Sequence, residues 1–246
     1  MTGETGFVEN AAALLARVRQ QRPRVHCLMN TVVQKFVADG LAALGAIPSM
    51  TSSTEEVEAF AQRADALVVN LGTLDEGRRA AIRLATAVAR SAHKPWIVDP
   101  VHCDYSPSRL AFARELIASG PSVLRGNASE MDIIGEANGV LKIKTGAVDE
   151  LTLDRHTTRI ENGHPFMAQV TGTGCLSGAL IAAFMAVERD RLRAATGALL
   201  ASGIAAEIAA QRSSGPGTFE AAFRDALAAL RPEDIIANAR ISYAEG

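Results

Sequence analysis

The chain is short of cysteine, of aromatics and of lysine, and each shortage closes off a class of protein. Its three cysteines, Cys27, Cys103 and Cys175, stand far apart in 246 residues. An odd number, with no CxxC pair and no Cys/His ladder, excludes a disulfide framework and a structural zinc site. Free thiols of this kind fit a reducing cytoplasm. Aromatics make up 4% of the chain against 48% hydrophobic residues, so the core must be assembled from Ala, Leu, Val and Ile. That small-residue mixture lets helices sit close on a sheet. Only four of the 25 basic residues are lysine, and the formal net charge is −2. With no strongly basic stretch, a nucleic-acid role has no electrostatic footprint. The opening MTGETGFVEN has neither the basic nor the apolar region of a signal peptide. Apolar runs such as 194–201 and 204–206 are broken by Gly, Ser or charge before they reach a membrane span. The expectation is a cytoplasmic protein with no membrane and no nucleic acid among its partners.

What is present is a repeated alternation. Short apolar runs at 25–29, 47–50, 66–70, 96–99 and 122–124 read as strands. Amphipathic segments at 31–44, 54–63, 75–90, 107–119 and 128–134 read as helices, the second of them capped by Thr54 ahead of a carboxylate-rich first turn. Segments 140–144, 150–153 and 157–160 alternate between turn residues and predict a small β-meander. From Gly172 onward the chain reads as almost wholly helical, at 174–187, 190–212 and 219–230. Strand–helix alternation implies right-handed crossovers and a largely parallel sheet with helices on both faces. The length asks for one α/β domain over 1–246.

The most informative stretch for chemistry is VTGTGCLSG at 170–178. Gly172 and Gly174 flank Thr173 just where a helix begins. Such a turn aims several N–H groups at one point, and the helix dipole adds partial positive charge there. It suits an anion, above all the charge that builds on a transferring phosphoryl group; close packing of the loop on a strand is the structural alternative. Cys175, at the helix mouth, is expected to have a lowered pKa and to serve as a base or nucleophile, or else to be a small core residue. Cys27 and Cys103 read as core. Asp99 ends a parallel strand, where open α/β sheets bind ligands. Arg125 stands at the next strand end and Glu130 in the following helical turn. The arginine suits a phosphate, and Asp99 with Glu130 suits Mg²⁺; capping roles are the plainer alternative. Taken together, a cation site, a phosphate clamp, an anion hole and a base are what phosphoryl transfer requires.

These residues, in their order and spacing, resemble the hydroxyethylthiazole kinase family of the ribokinase-like superfamily. The resemblance runs from about residue 25 to 217. It is carried by N-T-V-V…F-x-A-D-G-L-A-A-L-G-A-x-P-x-M at 30–50, V-V-N-L-G-T-L at 68–74, D-P-V at 99–101, R-G-N-A-S-E at 125–130, V-T-G-T-G-C at 170–175 and G-P-G-T-F at 215–219. It implies a three-layer α/β/α fold with a mostly parallel sheet. It also implies a homotrimer with sites at subunit boundaries, and ATP- and Mg²⁺-dependent phosphorylation of 4-methyl-5-(2-hydroxyethyl)thiazole. Met50, Asn30 and Gly172 then look like acceptor contacts, Arg125 and Thr145 like ATP contacts, and Asp99 and Glu130 like the metal and phosphate partners. Gly172, Thr173, Gly174 and Cys175 form the catalytic turn, with Cys175 where most of the superfamily places an aspartate. Two departures stand out. His102-Cys103-Asp104 follows D-P-V where relatives are glycine-rich. Only residues 131–144 separate Glu130 from Thr145, too few for the extra helix that relatives carry there. A kinase for another small alcohol such as a hydroxymethylpyrimidine, an ATP-dependent dehydratase of nicotinamide nucleotides and a non-catalytic binding protein are the alternatives.

Overall fold

The computed structural model describes residues 4–245. Helix α1 (Glu4–Gln21) leads into β1 (Arg24–Leu28), then α2 (Gln34–Leu44) and β2 (Ile47–Ser49). The chain continues through α3 (Val57–Arg63), β3 (Ala66–Asn70), α4 (Glu76–Ser91), β4 (Trp96–Asp99), α5 (Pro107–Ala118), β5 (Val123–Asn127), α6 (Ala128–Ile134) and β6 (Leu141–Thr145). Strands β7 (Asp149–Leu153) and β8 (His156–Ile160) follow as hairpins. Helices α7 (Thr173–Met185), α8 (Arg191–Ala210), α9 (Pro216–Ala229) and α10 (Pro232–Asn238) precede a last strand, β9 (Ile241–Glu245).

Among the described residues the nine strands belong to one sheet, ordered β2-β1-β3-β4-β5-β6-β7-β8-β9. Pairings from β2 to β6 are parallel and those from β6 to β9 antiparallel. The β-meander therefore extends the main sheet. The chain leaves β1 first to β2 on one side and then to β3 on the other. At such a reversal the outgoing connections diverge to opposite faces and open a crevice beyond the strand ends. Here α2 joins a core with α1, α7, α8 and α9 on one face, while α3, α4 and α5 build a second core on the other. Ala, Leu, Val and Ile dominate both, as the composition requires.

The second layer ends at α6. In β6, β7 and β8, Leu141, Ile143, Leu151 and Ile160 enter the first core, and the helix packed on β7 and β8 is α8. Side chains of opposite parity form polar rows on the other face. Lys142, Thr152 and Thr157 make one and Lys144, Glu150 and Arg159 the next. Glu150 pairs with Lys144 at 2.6 Å and with Arg159 at 3.0 Å. The short crossover thus leaves an open sheet face that the sequence covers with charge rather than with a helix.

Several boundaries differ from the reading of the sequence. Thr54 does not cap α3. Residues 54–56 form a turn in which the Glu56 and Val57 amides donate to the Ser53 carbonyl, so the helix starts at Val57. Helix α2 begins at Gln34, after a turn at 31–33. Arg125 lies within β5 rather than at its end, because the strand continues to Asn127 against β6. The C-terminal third is not purely helical: β9 returns to the sheet edge beside β8. Helix α1, outside the segments read as strand or helix, packs on α8 and α10. Among the described residues α8 is the one helix long and apolar enough to cross a membrane, with 78% of that stretch buried inside the protein.

Candidate active site

The sheet's carboxyl edge gathers the polar residues. Asn30 follows β1, Asn70 ends β3, Asp99 ends β4 and Arg125 rises from β5, all 8% exposed or less. Polar groups this deep must bond one another. Asn30 Nδ2 donates to Asn70 Oδ1 at 3.0 Å, and Asn70 Nδ2 donates to Asp99 Oδ2 at 3.2 Å. Arg125 Nη1 reaches the same Asp99 oxygen at 3.4 Å, while the Val101 amide donates to the other at 3.3 Å. Both asparagine amides also face the Cys175 sulfur, Asn70 at 3.3 Å and Asn30 at 3.6 Å. The sequence reading singled out every member of this group except Asn70. Its signal was the one used for Asp99, a polar residue closing a buried apolar run, ALVVN beside WIVD.

Behind the array lies a buried cation that sequence reasoning also missed. Arg78, 5% exposed, reaches from α4 to donate to the carbonyls of Met29 at 2.7 Å and Asn70 at 3.0 Å, with Leu28 at 3.5 Å. Its guanidinium therefore ties the ends of β1 and β3 together where Asn30 and Asn70 emerge. Burial holds its pKa below the usual value and nearby Asp75 opposes that shift.

Cys175 sits in the first turn of α7. The first helical bond there runs from the Leu176 amide to the Gly172 carbonyl at 2.7 Å, so the amides of Gly174 and Cys175 precede the helix ladder. Gly172 has φ 102°, and a Cβ added to it would lie 2.9 Å from Val33 Cγ1, so glycine is needed for both conformation and space. A Cβ on Gly174 would stand 3.1 Å from Arg125 Nη2, which places the guanidinium against the same turn. Thr173 contributes differently from its neighbours: its hydroxyl donates to the Met167 carbonyl at 2.6 Å and braces the preceding 3₁₀ turn. The expected lowering of the Cys175 pKa is overturned. Burial pushes the thiol up to about 11, the Asp99 carboxylate adds to the rise, and Arg125 with the two asparagines only partly offsets them. Desolvation of a thiolate is the largest of these effects. Cys27 and Cys103 are buried core residues, as expected.

Burial also raises the Asp99 carboxyl; Arg125 pulls it down and Glu130 pushes it up. Glu130 closes a capping box at the start of α6: Asn127 Oδ1 accepts from the Glu130 amide at 3.0 Å, and Glu130 Oε2 accepts from the Asn127 amide at 2.8 Å. Its other oxygen accepts from the His102 amide at 2.7 Å. His102 is exposed and stacked on Tyr105. His102, Asp104 and Glu130 each place one donor atom within 4.8 Å of the others. The buried donors Asp99 and Glu130 are carboxylate oxygens, the hard ligands that Mg²⁺ takes, whereas the His102 nitrogen suits it less.

A cavity of about 670 Å³ opens beside this array. Arg125, Thr145, Asp149, Thr173, Gly174 and Ser177 line it near the glycine turn, and α8 closes another wall. Thr145 faces it with its hydroxyl on the Gly126 carbonyl at 3.3 Å. Met50 is not brought into this group. It lines a separate depression of about 290 Å³ with Gln34, Lys35, Ala38, Pro48 and Ser49, along α2.

The chain matches the profile of the Hydroxyethylthiazole kinase family over residues 15–142 and 132–233, two stretches that meet in the short β5–β6 crossover. It is 61% identical over 246 residues to a probable hydroxyethylthiazole kinase of Agrobacterium fabrum, covering all of both chains. A solved structure of a hydroxyethylthiazole kinase protein from Pyrococcus horikoshii superposes with a TM-score of 0.92 at 36% identity, over 96% of this chain and 99% of that one. A ribokinase-like superfamily protein from Enterococcus faecalis shares the fold at a TM-score of 0.64 and 13% identity, over 87% of this chain and 89% of that one. Family profile, full-length relatives and fold agree, and the chain belongs to the hydroxyethylthiazole kinase family.

Proposed function

We propose that the protein transfers the γ-phosphoryl group of ATP to the hydroxyl of 4-methyl-5-(2-hydroxyethyl)thiazole, giving the thiazole phosphate, ADP and a proton. The observation that carries this reading is the array Asn70–Asp99–Arg125 against the glycine turn that holds Cys175, at the sheet's switch point and beside a cavity of about 670 Å³. The phosphates of ATP lie toward Arg125 and Thr145, where Arg125 Nε is buried with no partner among the described residues. Asp99 and Glu130 would hold Mg²⁺, which would supply neutralisation of the phosphate charge. The Gly174 and Cys175 amides stabilise charge on the transferring group. Arg125 orients that group and offsets the negative charge of Asp99.

A thiol with its pKa near 11 is protonated at neutral pH, so Cys175 is a hydrogen-bonding and positioning group for the acceptor oxygen rather than a thiolate base. Loose phosphoryl transfer places little demand on a base; positioning and electrostatics supply most of the acceleration.

Met50 and Gly172 belong to the acceptor site, and it is completed between subunits of a homotrimer. The separation of the Met50 depression from the Cys175 array within one chain supports this. The free state of all three cysteines supports a reducing, cytoplasmic setting. Two measurements test the proposal. Product analysis should show kcat/KM for the thiazole alcohol at least tenfold above that for hydroxymethylpyrimidine; the reverse order would reassign the acceptor. Mixing Met50→Glu subunits with Asp99→Asn subunits should restore activity that neither has alone. Failure of exchanged mixtures to recover any activity would rule out a shared site.

A further inference from the structure

One wall of the large cavity is unused by the reaction centre. Helix α8 lines it with Leu199, Ser202 and Gly203, facing Pro165, Met167 and Ala168. Ser202 is 2% exposed, and its hydroxyl has no hydrogen-bond partner among the described residues. A buried hydroxyl left unpaired destabilises a fold. Alanine would avoid that here, and α8 places alanine at 194, 195, 198, 201, 205 and 206. The loop opposite is pinned in place. Asn162 Nδ2 donates to the Glu207 carboxylate at 3.2 Å and to the Asn238 carbonyl at 2.9 Å, while the Gly163 amide donates to Glu207 at 2.8 Å. The wall is thus preformed, holds one unsatisfied hydroxyl between Leu199 and the 165–168 turn, and shares its cavity with Arg125, Thr145, Asp149 and His164.

We infer that the Ser202 hydroxyl is the group that reads the nucleoside half of the phosphoryl donor, through a hydrogen bond to its ribose or base. The inference rests on the reading of this cavity as the donor site. With the phosphates at Arg125, Thr145 and the glycine turn, the nucleoside lies between α8 and the 165–168 turn, its apolar faces against Leu199, Pro165 and Met167. Ser202 is then a specificity residue for the donor. Thr196 is an internal control: its hydroxyl is also buried with no partner among the described residues, but it does not line the cavity.

The test measures binding of ATP and of inorganic tripolyphosphate, which has no nucleoside, by calorimetry and by thermal melting of the whole protein. Ser202→Ala should melt at or above the parent without ligand. It should bind ATP about 3- to 10-fold more weakly, the loss of one hydrogen bond, with tripolyphosphate affinity unchanged. Ser202→Cys, which keeps the volume, should behave like Ser202→Ala, and Thr196→Val should leave ATP affinity as it is. Equal loss of both ligands, or loss of neither, would overturn the assignment of Ser202 while the donor site stands. A parent protein that binds neither ligand would remove the donor reading and this inference with it.

Discussion

Asn70 Nδ2 stands 3.3 Å from Cys175 Sγ and 3.2 Å from Asp99 Oδ2, so one amide group joins the thiol at the helix mouth to the buried carboxylate. Burial raises the pKa of both groups, that of the Cys175 thiol to about 11, so Cys175 is held as a neutral thiol beside the carboxyl.

That neutrality is measurable. With a pKa near 11, about one thiol in ten thousand is ionised at pH 7. Alkylation of Cys175 by iodoacetamide at pH 7.5 should be at least about 100-fold slower than that of a free thiol, followed by mass spectrometry of its peptide. Its rate should climb without inflection past pH 9. Cys175→Ser should lower kcat about tenfold, less than the roughly 10²–10⁴-fold contribution of a general base. A rate plateau near pH 8 would restore the thiolate.

Asp99 trades stability for function. Burial raises its pKa, so the folded protein holds this proton more tightly than the unfolded chain does. The associated stability is fully present below the unfolded value of about 4 and is lost as pH rises through the folded value. The same burial makes the ionised form of this carboxyl costly to the fold. Ligand-free Asp99→Asn should therefore melt no lower than the parent, while kcat falls at least about 100-fold. A drop of several degrees in Tm would mean that the contact with Arg125 outweighs burial.

Arg78 should show the opposite balance. Its guanidinium collects carbonyls from two strands, and removing it strands them in a dry site. Arg78→Met should cost about 3 kcal/mol in urea denaturation, as large losses follow from broken buried networks. Arg78→Lys should recover little, since a point ammonium cannot span both strand ends. Full stability in either variant would contradict the tie.

The open sheet face makes a weaker claim. Glu150 pairs with Lys144 and Arg159, whose side chains are nearly half exposed. Glu150→Gln should cost less than about 1 kcal/mol, with the difference vanishing in 1 M salt.

The alternation of apolar runs made the parallel half of the sheet legible, and chain order placed Asp99 and Arg125 at strand ends, while Asn30 entered only through the family resemblance. What sequence could not convey was depth. The helix-mouth position of Cys175 suggested a lowered pKa, but the thiol is buried beside a carboxylate, and desolvation prevails. Asn70 escaped notice as the last letter of a strand, and Arg78 as one arginine among many on an amphipathic helix. Strand β9 was missed because ISYAE carries no signal apart from its pairing with β8. The short crossover was visible as a gap of residues; the rows of Lys142, Lys144, Glu150 and Arg159 that cover its absence became readable only through register.

The most direct test of the whole account is ADP formation by the purified protein with ATP and Mg²⁺, with and without hydroxyethylthiazole. The account requires acceptor-dependent ADP release matched one for one by phosphorylated thiazole. ATP turnover indifferent to the acceptor, or none from folded protein with any alcohol tried, would contradict it.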